Sequence, residues 1–193
     1  MKHLKTLFYV SVILLAIASC DEERGSNNQQ PVIDAGDDLM GMTGEITDLN
    51  VTVNDPDGDA FQITWNVIES PSGATPEIES SSNTHATFLT EEAGVYQLEV
   101  VAVDSRGEMA SDILTLYISG VLSGTIDETT VYPDVFDDGS IPDYFAMEHV
   151  TIKARVTFDP GVVVESDSDV YIHVSGSSAS LTAEGTVSQR IVF

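Results

Sequence analysis

"VNDPDGDAFQITW", residues 53 to 65, decides the fold. Phe61, Ile63 and Trp65 stand at every second position, and Val67 continues the series. Side chains of a strand point to alternate faces, so these four large groups share one face and predict a half-buried β-strand. The preceding Asp55-Pro56-Asp57-Gly58-Asp59 is turn chemistry: proline presets φ, glycine accepts positive φ, and aspartate bonds its own backbone.

The same alternation recurs on both sides. Leu49, Val51 and Val53 precede the turn; Ala86 and Phe88, then Tyr96, Leu98, Val100 and Ala102, then Leu114, Leu116 and Ile118 follow it. Between them fall Pro71-Ser72-Gly73, Glu91-Glu92-Ala93-Gly94 and Asp104-Ser105-Arg106-Gly107. Short strands separated by regular turn signals from Pro31 to Ile118 predict an immunoglobulin-like sandwich, with Trp65 as buried anchor and Tyr96 at a corner. The single cysteine, Cys20, excludes an internal disulfide, so packing alone must join the sheets.

The segment resembles a polycystic-kidney-disease (PKD) domain. "PVIDAGDD" (31–38), "VNDPDGDAFQITW" and "THATFLTEEAGVYQLEVVAVDSRG" (84–107) carry the resemblance in order: an opening Pro and Ala-Gly, the Asp-Pro-Asp-Gly-Asp turn, a Trp on the next strand, a Gly-x-Tyr strand and a closing Asp-x-x-Gly turn. Asn54-Asp55 departs from the Ser-x-Asp often found before the turn. The resemblance implies an extracellular spacer or a module that binds protein or carbohydrate.

Asp55, Asp57 and Asp59 alternate in a glycine-containing loop, and hard oxygen ligands suit calcium. An EF-hand would need Gly and Glu where Ala60 and Asn66 stand, so that motif is excluded. A site of the PKD type would add Asp104 from the other turn. The competing reading is plain turn chemistry without metal.

At the start of the chain, Lys2 and Lys5 precede an apolar run from Leu7 to Ala18, interrupted only by Ser11. That run falls short of the roughly 20 apolar residues a spanning helix needs, and its basic start predicts a secretory signal. Ile17-Ala18-Ser19-Cys20 resembles a bacterial lipobox. The resemblance implies removal of residues 1–19, lipidation of Cys20, and anchoring in the cell envelope. Asp21, Glu22 and Glu23 resemble a signal for the outer membrane and surface export in some Gram-negative bacteria, whereas in others an aspartate directly after the cysteine retains the protein at the inner membrane. Several acyl chains hold a protein stably where one does not. Asp21 to Gln30 is polar and aperiodic, so residues 20–30 read as a lipidated cysteine and flexible tether.

After residue 118 the texture changes. Asp127 to Asp143 is acidic and broken by Pro133, Gly139 and Pro142. Val150 and Ile152, Val170 and Ile172, and Ile191 and Phe193 then form alternating pairs about twenty residues apart, a spacing that suggests coils of a parallel β-helix. "VTIKARVTFDPGVVVES" (150–166) and "YIHVSGSSASLTAEGTVSQRIVF" (171–193) resemble the opening of bacterial right-handed β-helix proteins. Residues 119–193 are therefore expected to be a linker and an incomplete β-helix start, the chain being truncated; a small second sandwich is the alternative. The fold class expected is all-β.

The 193 residues hold 32 acids against 7 bases, for a net charge of −25, which opposes nucleic acid and anionic membrane surfaces. His85, His149 and His173 lack zinc-ligand spacing, and Ser123 lacks the surroundings of a nucleophile elbow. Glu165, Asp167 and Asp169 alternate in a solvated turn, with calcium as the second reading. Two function classes follow. One is a non-catalytic, lipid-anchored envelope protein whose sandwich is a spacer or adhesion module. The other is the N-terminal fragment of a surface polysaccharide-acting β-helix enzyme. Only Lys153, Arg155 and Arg190 are available after the sandwich to neutralise a uronate, which favours the first.

Overall fold

The computed structural model describes residues 28–80, 82–186, 189, 192 and 193. The signal segment, Cys20, most of the tether, Arg190 and Ile191 lie outside the described residues. Within them there are strands and turns and no α-helix, so no helix there is long and apolar enough to cross a membrane.

Nine strands build the sandwich: β1 (Val32–Asp34), β2 (Leu39–Met42), β3 (Thr47–Asn50), β4 (Thr52–Asn54), β5 (Phe61–Glu69), β6 (Glu77–Ser80), β7 (His85–Leu89), β8 (Gly94–Asp104) and β9 (Met109–Ile126). One face is the antiparallel run β5-β8-β9, with β2 parallel to β9 beyond it. The opposing face is β3-β7-β6. Their inward residues meet in one cluster holding Leu49, Trp65, Phe88, Tyr96, Leu98, Leu114 and Leu116. Each such side chain contributes roughly 1.5–3 kcal/mol by leaving water.

The alternating run Leu49-Val51-Val53 is not one strand. Val51 is buried, and its N–H bonds Thr84 O rather than a ladder partner. The chain kinks there, so that β3 pairs β7 while β4 pairs β1. A period of two is unchanged by such a switch of partner.

Tyr96 makes a corner. Its Oη donates to Glu92 O at 2.7 Å and lies 2.9 Å from Thr90 Oγ1. Its ring meets Phe88 edge to face, with centroids 5.1 Å apart.

Strand β9 continues without a break through the point where the sequence changes texture. Residues 109–118 pair antiparallel with β8, and residues 120–126 pair parallel with a later strand. Ser119 and Gly120 look like punctuation but have other work. Ser119 Oγ donates to Pro142 O at 2.6 Å, and a Cβ on Gly120 would lie 2.6 Å from the Tyr144 ring.

Beyond β9 come β10 (Thr130–Tyr132), β11 (Tyr144–Ile152), β12 (Arg155–Phe158), β13 (Val164–Ser166), β14 (Ile172–Val174) and β15 (Ser180–Ala183). Every ladder among them is parallel. β11 lies between β9 on one side and β13 and β14 on the other, and β12 lies between β10 and β15. Their shared core holds Leu122, Tyr144, Val150, Ile152, Val156, Phe158 and Val162. The stretch expected to be irregular thus contains β10, and of the run Val162-Val163-Val164 only Val164 enters a strand. Among the described residues no closed solenoid is formed.

Asp143 ties this segment together. It is 1% exposed, and its carboxylate accepts three backbone N–H bonds: from Val135 at 2.7 Å, Phe136 at 3.1 Å and Val163 at 2.7 Å. A buried carboxylate is tolerable only when its lone pairs are satisfied, as here. Tyr144 Oη donates to Pro133 O, and burial pushes its phenol far above the usual tyrosine range, so it stays neutral.

Candidate acidic cation site

Two Asp-x-x-Gly turns face each other at one end of the sandwich. In the first, Gly58 N donates to Asp55 O, and Asp55 Oδ1 accepts from Asp57 N at 2.9 Å and Asp59 N at 3.0 Å. In the second, Gly107 N donates to Asp104 O, and Asp104 Oδ1 accepts from Arg106 N at 2.8 Å and Glu108 N at 2.9 Å. Gly58 and Gly107 close these turns with φ of 77° and 97°, angles that other residues adopt only under strain. Each aspartate therefore spends one oxygen on its own turn and turns the other inward.

The inward oxygens converge. Asp55, Asp59 and Asp104 offer carboxylate atoms that all lie within 4.8 Å of one another. Asp55 Oδ2 and Asp59 Oδ2 are buried and have no hydrogen-bond partner. Arg106 Nε sits 3.2 Å from Asp59 Oδ2 without hydrogen-bond alignment and supplies one positive charge against three carboxylates. Asp104 Oδ2 accepts from Asn28 Nδ2 at 2.8 Å. Burial opposes the charge on Asp104, but the bonds from Asn28, Arg106, Glu108 and Gly107 outweigh it and hold the carboxyl below its usual range. It is ionised at neutral pH. Two buried oxygens without a hydrogen bond, beside an ionised third, fit a hard divalent cation such as calcium.

Asp57 is not part of this cluster. It is exposed and accepts Gln29 N at 2.7 Å and Gln29 Nε2 at 3.2 Å. The backbone bond from Gln29, helped by its side chain, lowers the Asp57 pKa. Of the four aspartates singled out in the sequence, the fold thus gathers three and gives the fourth to the tether. Asn28, Gln29 and Arg106 also belong to the site; the first two stand far from the turns in sequence, and no local signal marks them. Elsewhere, Trp65 and Tyr96 lie in the sandwich core. Glu165 is the middle residue of β13, while Asp167 and Asp169 follow that strand in the turn before β14. His173 is exposed on β14.

Residues 28–117 match the family model described as Bacterial Ig domain. This segment has an Ig-like sandwich fold. Among solved structures, the Ig-like chain is similar to a nucleoside hydrolase-related hypothetical protein from Saccharophagus degradans associated with carbohydrate metabolism. The identity is 21% and the TM-score 0.43, over 48% of this chain and 26% of that one. It is also similar to the PKD domain of human KIAA0319, at 16% identity and TM-score 0.43, over 55% of this chain and 96% of that one. The SrpA adhesin from Streptococcus sanguinis is similar at 14% identity and TM-score 0.40, over 50% and 60%. The chain spans about a quarter of the first of these proteins. No curated protein matches it.

Proposed function

We propose that this is a non-catalytic, lipid-anchored cell-envelope protein, in which the Ig-like domain is a spacer that carries a binding segment away from the membrane. One observation supports it above the rest. The tether joins the sandwich at the two acidic turns, where Asn28 and Gln29 bond Asp104 and Asp57. Strand β9 leaves from that same end and runs 18 residues, about 60 Å, to the parallel segment at the other. Lipidation of Cys20 would put the acidic turns next to the membrane and the parallel strands far from it. Cys20→Ala, with palmitate labelling and fractionation of the native cells, tests the anchor. Unchanged fractionation, or no label on the unaltered protein, removes it.

Calcium at the acidic turns would stiffen the junction between tether and sandwich. Titration calorimetry checks this with a distinctive pattern. Asp55→Asn and Asp104→Asn are expected to abolish binding, whereas Asp57→Asn keeps it. No heat with the unaltered protein, or equal loss in all three variants, rejects the site.

The parallel ladders β9-β11-β13 and β10-β12-β15 favour a second reading, the first coils of a parallel β-helix belonging to a surface polysaccharide-acting enzyme. Turnover of any substrate in a glycan panel by the full chain would favour this reading over the first.

A further inference from the structure

Strands β2 and β11 lie end to end along one edge of β9: Met42 pairs Ser119, and Tyr144 pairs Gly120. Tyr144 and Ala146 turn into the core, and Phe145 and Met147 turn the other way. Met40, Met42, Phe145 and Met147 floor a groove of about 280 Å³ that crosses the junction of the two segments. Met40 is 54% exposed and Met147 45%. Val121, beside Phe145 in the ladder, is also exposed.

The groove is acid-rimmed. Glu165 and Asp167 form one wall. Past Met147 it opens into a trough lined by Glu148, His149 and Asp169. There the His149 ring stacks on Tyr171 with centroids 3.8 Å apart, leaving Tyr171 57% exposed. Apolar floor, acidic wall and exposed aromatic ring thus follow one another along β11.

We infer that this groove docks a polypeptide segment of a protein partner that presents apolar side chains flanked by lysine or arginine. The charge selects the occupant. A second copy of a chain with 32 acids and 7 bases would set carboxylates against Glu165 and Asp167. An anionic lipid surface meets the same repulsion. A methionine and phenylalanine floor offers little to the hydroxyls of a sugar, whereas flexible thioether chains repack around varied apolar groups. A basic residue beyond the apolar stretch would reach Glu148, Asp167 and Asp169 and lie over Tyr171, where a cation is attracted to the ring face. The inference rests on the binding role proposed for the parallel segment and names its partner class.

Methionine methyl NMR on the full chain tests it. The probes are three peptides of about 18 residues, long enough for five helical turns: leucine with lysine, leucine with glutamate, and serine with lysine. The leucine-lysine peptide is expected to shift the methyls of Met40, Met42 and Met147 and to leave Met109, exposed at the far end of β9, unmoved. The double variant Met40→Ser, Met147→Ser should bind it at least about tenfold more weakly, a loss of roughly 1.4 kcal/mol. Equal binding of the serine-lysine peptide, or equal shifts at Met109, would show attraction by charge alone and overturn the groove. Full affinity in the double variant, with the other methyls still, would place binding elsewhere; the groove would then fail while the binding role stood. No binding of any peptide overturns the groove and leaves the anchor to its own test with Cys20→Ala.

Discussion

The sandwich and the parallel segment share strand β9 but hold themselves together differently. In the sandwich, two antiparallel layers close over Phe88, Tyr96 and their neighbours, and nearly every inward position is filled by an apolar side chain. The parallel segment also closes two layers, β9-β11-β13 and β10-β12-β15, over a core of its own. Its chain crosses from ladder to ladder through irregular connections, and backbone groups there need partners that no ladder provides. Asp143 supplies them for Val135, Phe136 and Val163. Packing secures the first region, and one buried carboxylate secures the joints of the second. The two should therefore fail under different substitutions.

The largest effect is expected in the sandwich. Phe88→Ala removes a ring that is 1% exposed and in contact with Tyr96, at a cost of about 3–5 kcal/mol. Phe158→Ala in the parallel core should cost less, because Phe158 packs partly on Phe193, which is 63% exposed and free to collapse towards the gap. Urea midpoints at unchanged slope measure both. An equal or larger loss for Phe158→Ala would show that the parallel segment is as tightly packed as the sandwich.

Asp143→Ala comes next. It strands three backbone N–H groups, each bonded within 3.1 Å of the carboxylate. Water entering the space left by the carboxylate can meet these donors again, so the loss should be about 1–3 kcal/mol in all, below that of Phe88→Ala. Asp143→Asn keeps one acceptor oxygen and should recover part of the loss. The sharper readout is hydrogen exchange. Protection should fall at Val135, Phe136 and Val163 and stay intact at the β8 amides. Fading at β8 as well would mean that the carboxylate supports the whole chain.

The sandwich was far more legible than the rest. Alternation at Phe61, Ile63 and Trp65, and at Tyr96 through Ala102, survives because one face of each strand is buried. The kink at Val51 was hidden, since a strand that changes partners keeps its period. The continuity of β9 was hidden for the opposite reason: Ser119 and Gly120 have the composition of a turn, and only the Tyr144 ring and Pro142 carbonyl beside them explain their size and polarity. Aspartates in turns marked the acidic site, but not which would turn inward. That depends on each carboxylate's bonds to its own turn and on Asn28 and Gln29, placed there by the tertiary fold. The apolar groove gave no signal, because Met40 and Met147 meet only through β9.

A smaller test sharpens the sandwich side of the comparison. Tyr96→Phe keeps the ring and its contact with Phe88 but deletes the hydroxyl held by Glu92 O and Thr90 Oγ1. The loss should be about 1 kcal/mol, that of one ordinary hydrogen bond, and far below that of Phe88→Ala. A loss matching Phe88→Ala would mean that the corner, rather than the packed layers, holds the sandwich closed.

The smallest effect concerns the tether and depends on pH. Asp57 and Asp104 accept bonds from Gln29 and Asn28, and both carboxyls titrate below the ordinary value of 3.8. A carboxylate depressed by folding stabilises the folded form above that value, and the benefit disappears as pH falls through the lower folded value. Asn28 and Gln29 should therefore stay docked from neutral pH down to about 4 and come free only below it. Their amide signals, followed by NMR against pH, report this directly. In Asp57→Asn the titration should vanish at Gln29 and persist at Asn28, because Asn28 bonds Asp104 and Arg106 and not Asp57. Release of both residues together in that variant would mean that the two bonds form one cooperative latch, and the two acidic turns would then act on the tether as a single unit.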